Sequence, residues 1–506
     1  MDVTMGKKTV VCYHKVFEYA NLSESAVESV VPDTMPDIER ILCADGTLVI
    51  RSKEVSEGSV SVTAGIAASV LYVPDGKAGV CCLKAAIPFS YSTDAPGVTT
   101  DSIPVAMFTL MSVEAHMLNP RKVVVRATVE VKITCYDRAE ADYCCEVSGG
   151  NEEDIQLLVD KLAISHDVCV KEKTFVVTDE LRLPAGKPGV GELLRDTVEL
   201  SAEDIRTVGS KVVINGTAKI GLTYTVAGGS DIAFAEFETA FSQLIEADSE
   251  LGAPEFKVWL LLTAVFIEPH TYVGGEQGFT CELHIVAQTV CSDSVGVEYI
   301  SDCYSNRRRI EAESRASRVM CDVGRMQQRC NFHDQLETAQ DVCEVKAVSC
   351  SAADFKIENG SIKSKLAVTV LYSDEAGELF CVTRRFPMEC PSGIEAGMCG
   401  AVLSASCAQV YAVPAQNAID LRAQVTFDLM CWREVEITQI TGVDFIEEEE
   451  VKTERPSLVV VRAGEDASLW LLAKRYRSTR EMIRTANSLE EGEPIIGKIL
   501  LIPTAK

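Results

Sequence analysis

Three stretches of the chain, Ser59 to Tyr72, Lys211 to Tyr224 and Ser361 to Tyr372, are rich in Val, Ile, Thr and Tyr and partly alternate apolar with polar residues. Each stops at turn residues, respectively Pro74-Asp75-Gly76, Gly228-Gly229 and Ala376-Gly377. Successive side chains of a strand face opposite ways, so these runs predict half-buried strands. Each is followed by a longer strand-like run, Lys122 to Tyr136, Phe279 to Val290 and Ile419 to Trp432. The most apolar run, Val258 to Ile267, lies between Lys257 and Glu268, is too short to cross a bilayer and predicts a buried strand. A helical period surfaces at Ile155, Leu158, Val159 and Leu162, predicting a short amphipathic helix over Asn151 to Ala163 behind an Asn151 cap. The polar, Arg-rich segment Asn306 to Arg318 is expected to be a second linking helix, and both are expected to serve packing.

The strand pattern repeats. Val31-Pro32-Asp33-Thr34-Met35-Pro36 aligns with Leu183-Pro184-Ala185-Gly186-Lys187-Pro188 at a displacement of 152, and the same displacement carries Leu71-Tyr72 onto Thr223-Tyr224 and Phe89 onto Phe241. A looser third copy has Leu371-Tyr372 and Phe386-Pro387 but no proline block, and its Arg422-Ala423-Gln424-Val425 echoes Arg126-Ala127-Thr128-Val129. A period near 150 is too long for a solenoid and implies tandem domains. The expected fold is mainly β: three tandem β-sandwich-like repeats, over 1–148, over 149–303 with its linker helix, and over 304–446 with its linker segment.

Glu447 to Glu450 begin an acidic tether over 447–456, after which the pattern changes. Leu458 to Val461 is a short β run, and Ser468 caps a helix with Leu469, Leu472, Ala473 and Tyr476 on one face. Ser478-Thr479-Arg480-Glu481 forms a capping box for a second helix that Asn487 ends, and Ile499 to Ile502 is a second strand stopped by Pro503. Residues 457–506 are therefore expected to form a small α+β module of βααβ order.

A net charge of -27 sets aside nucleic acid and anionic membrane surfaces, which need clustered Lys and Arg. The C-terminal module has eight Lys and Arg against six Asp and Glu, leaving -29 on the rest, a contrast that favours an acidic protein partner. Neither an export signal nor a transmembrane segment is expected. Twenty cysteines contain no C-x-x-C pair, and Cys135, Cys281, Cys381 and Cys431 sit inside β-like runs, so they are expected to be buried free thiols in a reducing cytoplasm. The six histidines are scattered and no G-x-x-x-x-G-K-[ST] loop occurs, so no catalytic residue, cofactor or metal is expected and the chain is read as a non-enzyme.

Val459, Val461, Gly464, Leu469-Trp470, Ala473, Tyr476, Ile483, Asn487, Leu489, Gly497-Lys498 and Ile502-Pro503 together resemble the LysM domain. That resemblance implies a groove for N-acetylglucosamine glycans between the loops Ala463 to Ser468 and Leu489 to Gly497. Its candidate binding residues are Gly464, Glu465, Asp466, Ser468, Asn487, Leu489, Pro494, Ile495 and Gly497. The first loop is two residues longer than usual for LysM, which weighs toward a protein in the groove. The blocks Pro36-Asp37-Ile38, Leu71-Tyr72 and Ile87-Pro88-Phe89, with weaker equivalents later and LysM behind them, resemble the SPOCS (spore coat-associated) domain proteins of spore-forming bacteria. This implies a cytoplasmic adaptor of the mother cell that acts at the forespore surface in spore coat assembly. Its implied partner is a coat morphogenetic protein, the coat base-layer ATPase. The alternative is a binder of peptidoglycan in the cell wall or spore cortex.

Overall fold

The computed structural model describes residues 4–148, 155–247, 252, 254–307, 309–446 and 456–504, so most of the acidic tether lies outside the described residues. The first copy is built of β1 (Thr4–Val30), β2 (Ile38–Ser56), β3 (Ser59–Pro74), β4 (Cys81–Asp94), β5 (Ile103–Asn119) and β6 (Lys122–Ser148). The second repeats this order as β7 (Ile155–Arg182), β8 (Val190–Val208), β9 (Lys211–Val226), β10 (Ile232–Glu246), β11 (Glu255–Thr271) and β12 (Gln277–Ser305). The third does so as β13 (Arg309–Glu337), β14 (Glu344–Glu358), β15 (Ser361–Ser373), β16 (Leu379–Pro391), β17 (Cys399–Ala415) and β18 (Ala418–Ile446).

Each copy is a two-layer antiparallel sandwich. Its second, third and fourth strands form one sheet, and its first, sixth and fifth strands form the facing layer. In the first copy the layers meet through Val60, Val62, Ile66 and Val70 of β3 against Val123, Val125, Val129 and Ile133 of β6, all essentially inaccessible to solvent. These alternate along each strand, which is why the period of two was legible.

The two predicted linking helices are not formed. Residues 155–163 are the start of β7, paired with β12 from Ile155 opposite Ser305 to Ala163 opposite Gly296, and residues 309–318 are the start of β13, paired with β18. The apolar spacing at 155–162 is that of a strand end with several neighbours: Leu157 and Leu162 pack among the long strands and Leu158 against the C-terminal module. A long partner strand pairs with this stretch almost residue by residue, and that outweighs a weak local preference for helix.

The long strands therefore outrun their sandwiches. In all three copies a register shift marks the exit, between Lys15 and Phe17, between Cys291 and Ser292, and between Cys321 and Gly324. A cysteine sits on the closing strand at each shift, Cys135, Cys291 and Cys431. Beyond it the three pairs of first and sixth strands converge, with Tyr13 of β1 opposite Asp167 and Met320 of β13 opposite Ser165, both on β7. Val10, Tyr143, Ile164, Val297, Tyr299 and Ile437, drawn from all three copies, form the apolar centre of this inner bundle.

Two buried amides tie copies together. The Gln288 side chain donates to the Ala106 carbonyl at 2.7 Å and accepts from its amide at 3.0 Å, and Gln439 bridges to the backbone of Asp142 and Cys144. The expectation that the cysteines are free fails at one pair, because Cys330 and Cys390 are joined as a disulfide between β13 and β16. Among the described residues no helix is long and apolar enough to cross a membrane.

Candidate functional site

The C-terminal module comprises β19 (Leu458–Arg462), α1 (Leu469–Tyr476), α2 (Arg480–Ala486) and β20 (Ile499–Pro503). The two strands pair antiparallel, Val459 opposite Ile502 and Val461 opposite Leu500, and the helices cover one face of the pair. Ser468 accepts from the Leu471 amide at 3.1 Å and so caps α1 as its sequence position predicts. The cap of α2 is Thr479, which accepts from the Met482 amide at 3.0 Å, and not Ser478. Ser478 is drawn inward because Arg477 closes α1 in a left-handed conformation (φ 51°) and the Ser478 amide bonds back to the Ala473 carbonyl at 2.9 Å.

The two candidate groove loops are joined at their bases: the Ala463 amide donates to the Lys498 carbonyl and the Gly497 amide to the Ala463 carbonyl, each at 2.9 Å. Gly497 has φ +78°, a left-handed conformation that accounts for glycine at this position. The two additional residues of the first loop form its tip, since the Ala467 amide turns back onto the Gly464 carbonyl and leaves Glu465 and Asp466 in solvent. Of the nine candidate residues, Gly464, Glu465, Asp466, Pro494 and Gly497 are exposed along the groove, and Ser468, also exposed, is committed to its cap.

The remaining three hold the fold. Ile495 is buried and Leu489 packs against the same core. Asn487 is a clamp: its Nδ2 donates to the carbonyls of Ile483 (2.8 Å) and Leu501 (2.6 Å), and its Oδ1 accepts from the Leu501 amide (2.7 Å). It thereby fastens the end of α2 to β20.

Charge within the module is segregated, which a net count of +2 conceals. Glu465, Asp466, Glu490, Glu491 and Glu493 lie on the two loops, whereas Lys474, Arg475, Arg477, Arg480 and Arg484 lie on or next to the helices, with Glu481 as an acid among them. Glu493 is neutralised by Lys498, whose hydrogen bond, aided by the Glu490 amide, holds its carboxyl below the usual range. The other four loop acids leave the groove rim anionic.

The module is also seated on the body. Asp302 of β12 accepts from the Trp470 indole N–H at 2.7 Å and from Lys474 Nζ at 2.5 Å. Tyr304 meets the Trp470 ring edge-on with centroids 4.9 Å apart and donates to the Ser478 carbonyl at 2.9 Å. Trp470 thus faces the body and not the groove. Asp302 and Tyr304 carry no local signal, because their role exists only once a segment some 170 positions away folds against them.

The motifs of the first copy acquire a physical role of their own. The Tyr72 hydroxyl donates to the Pro36 carbonyl and the Tyr224 hydroxyl to the Pro188 carbonyl, each at 3.1 Å, so the proline and tyrosine blocks are two ends of one hydrogen bond. Arg121 secures the first proline loop through the Met35 and Val31 carbonyls and Asp37. Residues 37–118, spanning β2 to β5, match the family described as SipL, SPOCS domain. This stretch of the first copy is similar to a SPOCS domain. No curated protein and no solved structure matches the chain. Outside the matched stretch, β8 to β11 and β14 to β17 repeat its strand order.

Proposed function

We propose that the chain is a non-catalytic adaptor in spore coat assembly, working in the mother cell at the forespore surface, with its SPOCS-like copies and a LysM-like C-terminal module docking different coat proteins. The similarity to a SPOCS domain supports the link to sporulation. The observation that carries the adaptor reading is how the module is held: α1 is anchored on copy two while the groove loops stay open to solvent. Such an arrangement presents a groove in a fixed orientation, which favours binding by reducing the freedom lost on association.

The character of the free surface supports a protein in that groove in preference to a glycan. The rim carries four unneutralised acids, and the outer face of the β19–β20 pair exposes Leu458, Val460, Ile499 and Leu501. Contiguous exposed apolar side chains beside charge are features of protein-binding surfaces. A basic segment of a coat morphogenetic protein, the base-layer ATPase, is the partner we favour. The second reading, a peptidoglycan binder, rests on the LysM resemblance.

A paired pull-down distinguishes them. Full-length protein and the Glu465→Lys/Asp466→Lys variant are presented to purified base-layer ATPase and to purified peptidoglycan. Both substitutions are exposed, so the fold is expected to survive within about 0.5 kcal/mol. The expected result is capture by the ATPase, weakened roughly tenfold by the charge reversal, and no retention on peptidoglycan. Retention on peptidoglycan without capture by the ATPase would overturn the reading.

A further inference from the structure

The three sandwiches meet a second time, on the side formed by their smaller sheets. Leu42, Leu71, Val80, Cys82, Leu194, Ile232, Ala347 and Leu371 make a buried apolar junction with contributions from every copy. One register shift recurs at its centre. Cys43 stands opposite Leu71, Arg195 opposite Thr223 and Ala347 opposite Leu371, each just after a shift from the neighbouring tyrosine pair. On the other side of the same central strands the equivalent positions are Cys82, Phe234 and Cys381.

At the contact between the first and third copies, both positions are cysteines. Cys43 of β2 and Cys381 of β16 pack against this same junction with their side chains interacting, each part-buried. The flanking residues fix the approach: Arg40 donates to the Leu379 carbonyl at 3.0 Å and its guanidinium lies 4.8 Å from the Phe380 ring centroid. Arg195 of the second copy, paired with Asp45 at 3.4 Å, supplies a positive charge beside both thiols.

We propose that Cys43 and Cys381 form a redox staple, in which a low-molecular-weight disulfide converts the two thiols into a covalent bond locking the first copy onto the third. Arg195 lies beside both sulfurs and favours whichever thiolate forms. In the exchange proposed, Cys43 attacks first. It displaces one thiolate from the small disulfide and becomes a mixed disulfide. With the Cys43 negative charge gone, Cys381 loses its proton more readily, attacks the Cys43 sulfur and displaces the second small thiolate. Two protein thiols are oxidised, one small disulfide is reduced to two thiols, and the two protein protons end on those thiols.

The test uses the full chain, reduced, desalted, incubated with excess oxidised glutathione, alkylated and digested for mass spectrometry. The expected product is a Cys43–Cys381 linked peptide. On a non-reducing gel the chain is expected to run faster than its reduced form, because the bond closes a loop of 338 positions, and reductant should reverse the shift. Cys43→Ser or Cys381→Ser should abolish the linked peptide. Cys350→Ser should retain it, although Cys350 and Cys407 form a second neighbouring pair within the third copy. Recovery of Cys43 and Cys381 only as separate alkylated or glutathione-bearing peptides from the folded wild-type chain, with Cys330–Cys390 re-formed, would overturn the staple. The wild-type mapping needs no variant to fold.

Discussion

Tyr72 shows how a residue-scale pattern in the sequence acquires a cause. The displacement shared by the proline and tyrosine blocks is the trace of two equivalent hydrogen bonds, each spanning 36 positions, from a buried phenol at the sandwich core to a carbonyl in the entering loop. The third copy lacks the proline block, and its Tyr372 reaches only the side chain of Gln340, at 3.5 Å. A bond at that distance is marginal. We expect Tyr72→Phe and Tyr224→Phe each to lower the stability of the chain to denaturant by about 1 kcal/mol, with Tyr372→Phe costing less than half as much. Urea titrations followed by β-sheet circular dichroism would check this, and equal losses at the three positions would show that the bond to the proline loop is not what distinguishes the copies.

Elements were legible where one strand face is buried and the other wet. The predicted starts at Ser59, Lys211 and Ser361 coincide with those of β3, β9 and β15. The closing strands run on beyond the predicted ends, to Ser148, Ser305 and Ile446, because past the register shifts their faces touch other copies and the alternation dissolves. The same loss of alternation at the start of β7 produced a spurious helical period. Sites divide along a similar line. The groove loops could be placed from the module pattern, but Asn487 could not be told from a ligand contact without its three hydrogen bonds to α2 and β20. Removing them by Asn487→Ala is expected to cost about 2 kcal/mol. A module of this size has only roughly 3–5 kcal/mol to lose. Hydrogen exchange across Leu458–Arg462 and Ile499–Pro503 should therefore accelerate well beyond that of the body, whereas Pro494→Ala, in the exposed part of the groove, should leave exchange unchanged.

At the scale of the whole molecule, the tandem copies are not beads on a string. The inner bundle and the junction of small sheets each draw buried residues from all three, so a copy's apolar surface is completed by its neighbours. The C-terminal module is attached differently, through Asp302 and Tyr304 of β12 and Leu158 of its partner strand β7. Truncations should separate the two modes. Ending the chain after Ile446 uncovers Tyr304, Leu158 and Asp302, and the product is expected to keep the oligomeric state and the sheet content per residue of the full body. Ending it after Ser305 removes the third copy together with the C-terminal module and bares Leu42, Leu71 and Cys82 at one junction and Val10, Ile164 and Tyr299 at the other. Exposed patches of that kind drive association, so the shorter chain should bind a hydrophobic dye several-fold more strongly and aggregate in size-exclusion chromatography. A stable, dye-silent monomer of 1–305 would mean that the copies fold as independent domains. Because each junction needs all three copies, a partner that docks on one sandwich meets a body in which the other two cannot easily turn away, and a covalent link from the first copy to the third would make that closure permanent.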